Sequence, residues 1–261
     1  MDRLSKEFFF VGLILFLYMH AWFIASVLPH RSDLADTAWG IGFILASWAA
    51  FVISNVSGWR GALSATLVTI WGARLAWHIH RRNRNKPEDY RYQAWRKAWG
   101  RWFLLRSYGQ VFILQGLLLF LVVIPVLLVN FQPSRNFSLL DAAGLVLWAF
   151  GFLFEALGDW QLAAFIAEPA NAGKLMQGGL WRYSRHPNYF GDACAWWGIA
   201  IVALQSNMGW LGLVGSGLMS FLLVRVSGVP MLEKTMHKRR PDYVAYQERT
   251  SGFIPRKTKN S

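Results

Sequence analysis

From Ser107 to Ser134 the chain runs 28 residues without one charged side chain. A helix rises about 1.5 Å per residue, so about 20 apolar residues span the ~30 Å hydrocarbon core of a bilayer. Helices satisfy their own backbone hydrogen bonds there, which open strands cannot do. Other segments share this character. Phe8–Leu28 is uncharged, Leu34–Ser54 carries only Asp36, and Gly61–His80 carries Arg74, His78 and His80. Leu139 to about Phe165 is apolar but holds Asp141, Glu155 and Asp159. Ala193–Val224 is uncharged and is interrupted at Gln205–Gly209, which divides it into two helices joined by a hairpin. The expectation is an all-α, polytopic integral membrane protein with about seven transmembrane helices, or six if the short sixth is not counted. Residues 1–261 then form a single membrane domain with no separate soluble module. The first segment reads as a retained helix, because its 21 residues exceed a usual signal core and no small-x-small cleavage site follows.

The charges agree with this reading. Only 16% of residues are charged, against about 25% in soluble domains. The formal net charge of +13 would suit nucleic acid if it sat on a polar domain. Here the basic residues lie between apolar runs, so they are read as topology, with no nucleic-acid partner. With seven helices, 21 Lys and Arg fall on one side and four (Arg3, Lys6, Arg60, Arg135) on the other. The positive-inside rule then puts the N-terminus outside and the C-terminus in the cytoplasm. The single Cys194 excludes an intrachain disulfide, and the six His residues lack the spacing of a metal site. Between Arg81 and Arg106, nine basic residues mix with Trp95, Trp99 and Trp102, the pattern of an amphipathic helix on an anionic leaflet. A sharper reading of Asp89–Tyr92 is phosphate binding.

Polar groups in or beside spans are costly unless buried against protein or water, which makes each a functional candidate. Asp36, Arg74, His78, Glu155, Asp159, His186, Asn188, Asp192 and Arg225 form that set. The most informative stretch runs from Gln177 to Asp192. Gly178 and Gly179 let backbone approach a ligand, Arg182 and Arg185 can grip phosphate, and Pro187 starts a helix whose first N–H groups face an anion. Asn188 and Asp192 share a helix face, as do Glu155 and Asp159. Two adjacent acids there need a cation or a donor. These features describe a pocket for a large anionic cofactor, or else basic groups snorkelling to lipid headgroups.

Gly178-Gly179-Leu180-Trp181 followed by Arg185-His186-Pro187-Asn188-Tyr189 and Gly191-Asp192 resembles the membrane superfamily of steroid 5-alpha reductases, sterol reductases and isoprenylcysteine carboxyl methyltransferases. It is most similar to the bacterial branch related to the steroid 5-alpha reductase C-terminal domain. Asp159-Trp160-Gln161 upstream, and Glu233, Tyr243, Tyr246 and Phe253-Ile254-Pro255 downstream, fit the same pattern. The resemblance implies a seven-helix enzyme of the bacterial inner (plasma) membrane that binds NADPH, with residues 140–256 carrying the cofactor part. It assigns Asn188 and Asp192 to the cofactor, with Asp159 and the glycine loop completing a site that includes Glu155, Gly178, Gly179, Arg182, Arg185, His186 and Tyr189. The methyltransferase relatives commonly lack the Asn-Tyr-x-Gly-acid continuation.

The implied reaction is reduction of a carbon–carbon double bond conjugated to a carbonyl in a lipophilic, steroid- or isoprenoid-like substrate. The reductases use a Glu on the second span and a Tyr on the third to polarise the acceptor oxygen. This chain departs from them, offering Asp36 and His78 as the catalytic pair. A carboxylic acid with an imidazole can still donate a proton as charge develops. Pairing of Asp36 with Arg74 as a structural salt bridge is the competing reading. Alternatives of other classes are an S-adenosylmethionine-dependent methyltransferase and a non-catalytic lipid-binding membrane protein. The oligomeric state is not legible.

Overall fold

The computed structural model describes residues 3–56, 58–134 and 136–258, with backbone alone at 238 and 239. Arg135 and Lys259, which entered the loop charge count, lie outside the described residues. The protein is α-helical, and among the described residues the only β pairing is the isolated bridge between Ser184 and Ser251. Contacts divide the chain into two compact units, Met1–Asn136 with Ser206–Val214, and Phe137–Gln205 with Gly215–Ser261. The expected cofactor stretch, 140–256, falls in the second apart from residues 206–214.

Five helical runs are long and apolar enough to cross a membrane: Arg3–Val27, Leu34–Ile53, Tyr90–Val122, Leu139–Ala167 and Leu211–His237. Two of the seven expected spans are missing from this set. Trp59–Asn83 is a helix of 25 residues, but Arg60, Arg74, Arg81 and Arg82 dilute its apolar character. Pro187–Ala203 is apolar but has only 17 residues, about 26 Å of helix, short of the ~30 Å core.

In the first unit, α1 (Arg3–Val27) and α2 (Leu34–Ile53) pack together, and α2 packs closely on α3 (Trp59–Asn83). Gly40 and Gly72 permit the α2–α3 approach, since a Cβ on either would meet the carbonyl oxygen of the other at 2.6–2.7 Å. After the short helix α4 (Tyr90–Trp99) the chain continues through α5 (Phe103–Ser107) and a π-helical turn at Tyr108–Ile113 into α6 (Leu114–Val122) and α7 (Ile124–Asn130). Val11, Leu15, Met19, Phe43, Trp71, Phe112 and Leu119 form the buried core. Phe9, Phe16, Leu17 and Ile24 lie exposed along α1, as a lipid-facing helix requires.

In the second unit, α8 (Leu139–Ala167) lies antiparallel to α9 (Pro187–Ala203). Gly144, Gly151 and Gly158 recur every seven residues on α8, and Gly191 and Gly198 do so on α9. Each spacing is two helical turns, so each set lies on one face. A Cβ on Gly151 would stand 2.5 Å from the carbonyl oxygen of Gly191, and one on Gly144 would stand 2.6 Å from that of Gly198. Close backbone packing of this kind drives helix pairing where lipid removes the hydrophobic incentive. Ser138 and Asp141 form a capping box that starts α8. Gln205, beyond the end of α9, donates to Asp141 at 2.8 Å and accepts from the Ser138 hydroxyl at 2.6 Å, which ties off that end of the pair. Helices α10 (Leu211–Phe221), α11 (Val229–Arg239) and α12 (Tyr243–Arg249) follow, with a π-helical turn at Leu222–Val226 between α10 and α11.

Candidate functional site

Pro187 opens α9 at its first turn, where a missing N–H costs nothing, and His186 precedes it with a non-helical backbone. Asn188 is thereby set at the start of the helix, opposite Gly158 of α8. Its Nδ2 donates to Asp159 Oδ1 at 2.9 Å, while its Oδ1 is buried and accepts no hydrogen bond. Asp159, Asp192 and Glu155 are all buried. The α8–α9 seam therefore brings the expected cofactor residues Glu155, Asp159, Asn188 and Asp192 onto one tightly packed helix pair. Since buried polar atoms rarely go unsatisfied, the Asn188 acceptor suits an N–H or O–H donor, such as a carboxamide, an amine or a water. Among the described residues no cluster of three or more His, Cys, Asp or Glu is placed to hold a metal ion.

The glycine loop is built by different forces. Gly179 has φ +56, and a Cβ there would meet the Gln161 side chain at 2.5–2.6 Å. Gln161 Oε1 accepts from Leu180 N at 2.9 Å, and the Trp181 indole donates to Gly158 O at 3.0 Å. Gly179 is thus fixed by a turn packed on α8, whereas a Cβ on Gly178 would meet only the end of the Met176 side chain, at an ordinary 3.9 Å. Tyr189 stacks on His186, with ring centroids 5.5 Å apart and planes at 6°.

The two arginines separate in role. Arg182 is exposed and able to meet a phosphate. Arg185 is turned inward. Its Nε and Nη2 donate to the two oxygens of Glu233 at 2.8 and 3.3 Å, and its Nη1 donates to the carbonyls of Gln247 and Thr250. His186 Nε2 lies 3.1 Å from Glu233 Oε1. Tyr243 and Gln247 also donate to Glu233, at 3.1 and 2.7 Å. Burial, and then the Glu233 carboxylate, push the Tyr243 phenol well above its ordinary pKa, so it remains a donor at neutral pH. Tyr246, raised likewise by burial, donates to the Trp181 carbonyl. Ser184 Oγ donates to Phe253 O at 2.8 Å, and Arg185 N donates to Ser251 O at 2.8 Å. The arginine–histidine turn is therefore clamped by α11, α12 and the segment after them. Glu233 is the acid at its centre, a role the sequence reading did not assign.

Asp36 and His78, the expected catalytic pair, both belong to the first unit. Gly40 sits against Gly72 and Ala76, which places Asp36, one turn earlier on α2, toward the His80 end of α3. The carboxylate is engaged: Arg91 Nη2 donates to Oδ2 and the Tyr92 hydroxyl to Oδ1, each at 2.7 Å. Arg91 also donates to Asp89 at 2.9 Å, and these hydrogen bonds outweigh burial and hold the Asp89 carboxyl below its ordinary range. The ion-pair partner that the structure gives Asp36 is thus Arg91 and not Arg74, and Arg91, expected as part of a basic loop or a phosphate-binding stretch, is engaged by Asp36 and Asp89. His78 is half-buried on α3. Asp36→Asn is expected to lower stability by about 1–3 kcal/mol, because a neutral amide offers Arg91 no charge and one acceptor fewer. Thermal unfolding of the purified variant checks this, and an unchanged midpoint would mean that the contact contributes nothing.

Among curated proteins the chain is similar to an uncharacterised protein of the fission yeast Schizosaccharomyces pombe. It is 28% identical over an alignment that covers 95% of this chain and 80% of the relative. No solved structure matches the chain. Residues 22–250 match the family described as protein of unknown function (DUF1295), and the chain belongs to that family.

Proposed function

We propose that this is an NADPH-dependent membrane reductase of a conjugated carbon–carbon double bond in a lipophilic, steroid- or isoprenoid-like substrate. The observation that carries the reading is the buried Oδ1 of the half-buried Asn188. With its Nδ2 committed to Asp159, its Oδ1 is held as an acceptor at the start of α9. A nicotinamide carboxamide supplies the matching N–H, and the exposed Arg182 suits the cofactor phosphates. Asp159 fixes which way the Asn188 amide faces. Glu233 holds the Arg185–His186 turn in place, so that the first turn of α9 is preset. Bound there, the reduced cofactor would supply the hydride. The resemblance supports a seven-span arrangement in a bacterial inner membrane, and the excess of Lys and Arg supports a cytoplasmic C-terminus.

The test is binding to the purified full-length protein. NADPH is expected to raise its thermal midpoint, and S-adenosylmethionine is not; the reverse result would replace this reading with a methyltransferase. Asn188→Ala is expected to weaken NADPH by about 1–3 kcal/mol in the folded variant, and to lower the unliganded midpoint as well, because it also removes the Nδ2 donor from buried Asp159. Equal NADPH affinity in that variant would put the nicotinamide elsewhere.

A further inference from the structure

The loop between α3 and α5 separates its charges by role. Its two acids are turned to internal partners. Glu88 accepts from Ser32 N at 2.8 Å and from Arg96 at 2.9 Å, and Asp89 accepts from Arg91. Arg91 and Arg96 are thereby used in the fold. The other seven basic residues from Arg81 to Arg106 are exposed, with no exposed acid among them. Trp95 packs toward the core beside Tyr92, and stacks on Trp99 with centroids 5.5 Å apart and planes at 10°. Trp102, Leu104 and Leu105 point outward, at 53%, 51% and 64% exposure. Arg101 lies over the Trp102 ring at 5.3 Å and Arg106 lies 6.0 Å from the Trp99 ring.

The position of this surface along the chain matters as much as its composition. The helical run Tyr90–Val122 has 33 residues, about 50 Å if straight and some 20 Å more than a hydrocarbon core. Its uncharged part begins at Ser107, so the surplus is the stretch from Tyr90 to Arg106. Gly100, at φ +50, breaks the helical path there. Large apolar side chains interleaved with cations at the foot of an uncharged helix are poorly served by water. They suit the headgroup layer, where rings and leucines enter the acyl boundary and cations meet phosphate.

We propose that Lys97, Arg101 and Arg106, with Trp102, Leu104 and Leu105 between them, form a docking surface for the headgroups of anionic phospholipids.

Full-length protein in neutral detergent, titrated with phosphatidylglycerol or phosphatidylcholine and read by thermal midpoint, tests this. Phosphatidylglycerol is expected to stabilise the protein, less so at high salt, and phosphatidylcholine is not. In K97Q/R101Q/R106Q the apparent affinity for phosphatidylglycerol is expected to fall on the order of 100-fold, about fivefold for each cation removed. K234Q/R256Q/K257Q removes the same charge from exposed positions elsewhere and is expected to bind as before. Should the first triple variant fail to fold, R101Q and R106Q singly are expected each to lose about fivefold. Equal losses in the two triple variants would reduce the effect to bulk charge. The same shift from inorganic phosphate would make this a free-anion site, and no response to phosphatidylglycerol or tighter binding of an RNA oligonucleotide would also overturn the assignment.

Discussion

Valine in place of Gly191 is expected to cost about 3 kcal/mol or more and to leave little folded protein. Overpacking a core costs about 1–3 kcal/mol when neighbouring side chains can move aside. Here the obstruction is backbone. A Cβ on Gly191 would stand 2.5 Å from the carbonyl oxygen of Gly151 and closer still to the amide nitrogen of Glu155. Neither group can yield without parting α8 from α9. Thermal unfolding in detergent gives the answer, with Gly217→Ala as the control, since nothing lies within 4 Å of a Cβ at that position. Alanine at 191 is expected to fall between the two, and a wild-type midpoint for Gly191→Val would show that the helices are not in this contact.

Loss of Glu233 is expected to be nearly as severe. Its carboxylate accepts from Arg185, Tyr243 and Gln247 and pairs with His186. Alanine there strands the Arg185 guanidinium, whose side chain is only 12% exposed. Breaking one partner of a buried pair costs about 3–5 kcal/mol. Glu233→Ala/Arg185→Met is expected to recover part of that loss, because the stranded charge goes as well. A double-mutant cycle on thermal stability measures the coupling, and simple additivity of the two changes would dismiss the clamp.

The spans were legible wherever apolar length alone decides the outcome. Leu34–Ser54 and Leu139–Phe165 were expected, and Leu34–Ile53 and Leu139–Ala167 are found. At Pro187–Ala203 length alone decides less, because its 17 residues lie at the lower edge of what crosses a bilayer, as the short sixth helix of the sequence reading foresaw. The pairs Glu155 with Asp159 and Asn188 with Asp192 were readable from four-residue spacings, since one turn of helix puts such residues on one face, but only the family resemblance brought the two pairs together. Partners across the fold were not readable. Arg91 reaches Asp36 from 55 positions away, and Glu233 reaches Arg185 from 48. Periodicity within one element carries no information about which distant acid a base will meet. The seven-residue spacing of Gly144, Gly151 and Gly158 was present in the chain, but it names a face and not the helix that the face will touch.

The backbone bond from Arg185 to Ser251 also sets an order of events during synthesis. Domains acquire structure as the chain is made, beginning from the N-terminal side. Helices α8 and α9 can pair once residue 203 is in the membrane, whereas the carbonyls that hold the Arg185 turn belong to residues 247–251. For some fifty residues of translation the start of α9 has its helix partner and lacks its clamp. The last local step in shaping that turn therefore waits until residue 251 has been made, and a nascent chain stalled before Glu233 would carry the Asn188–Asp159 contact on an unsecured turn.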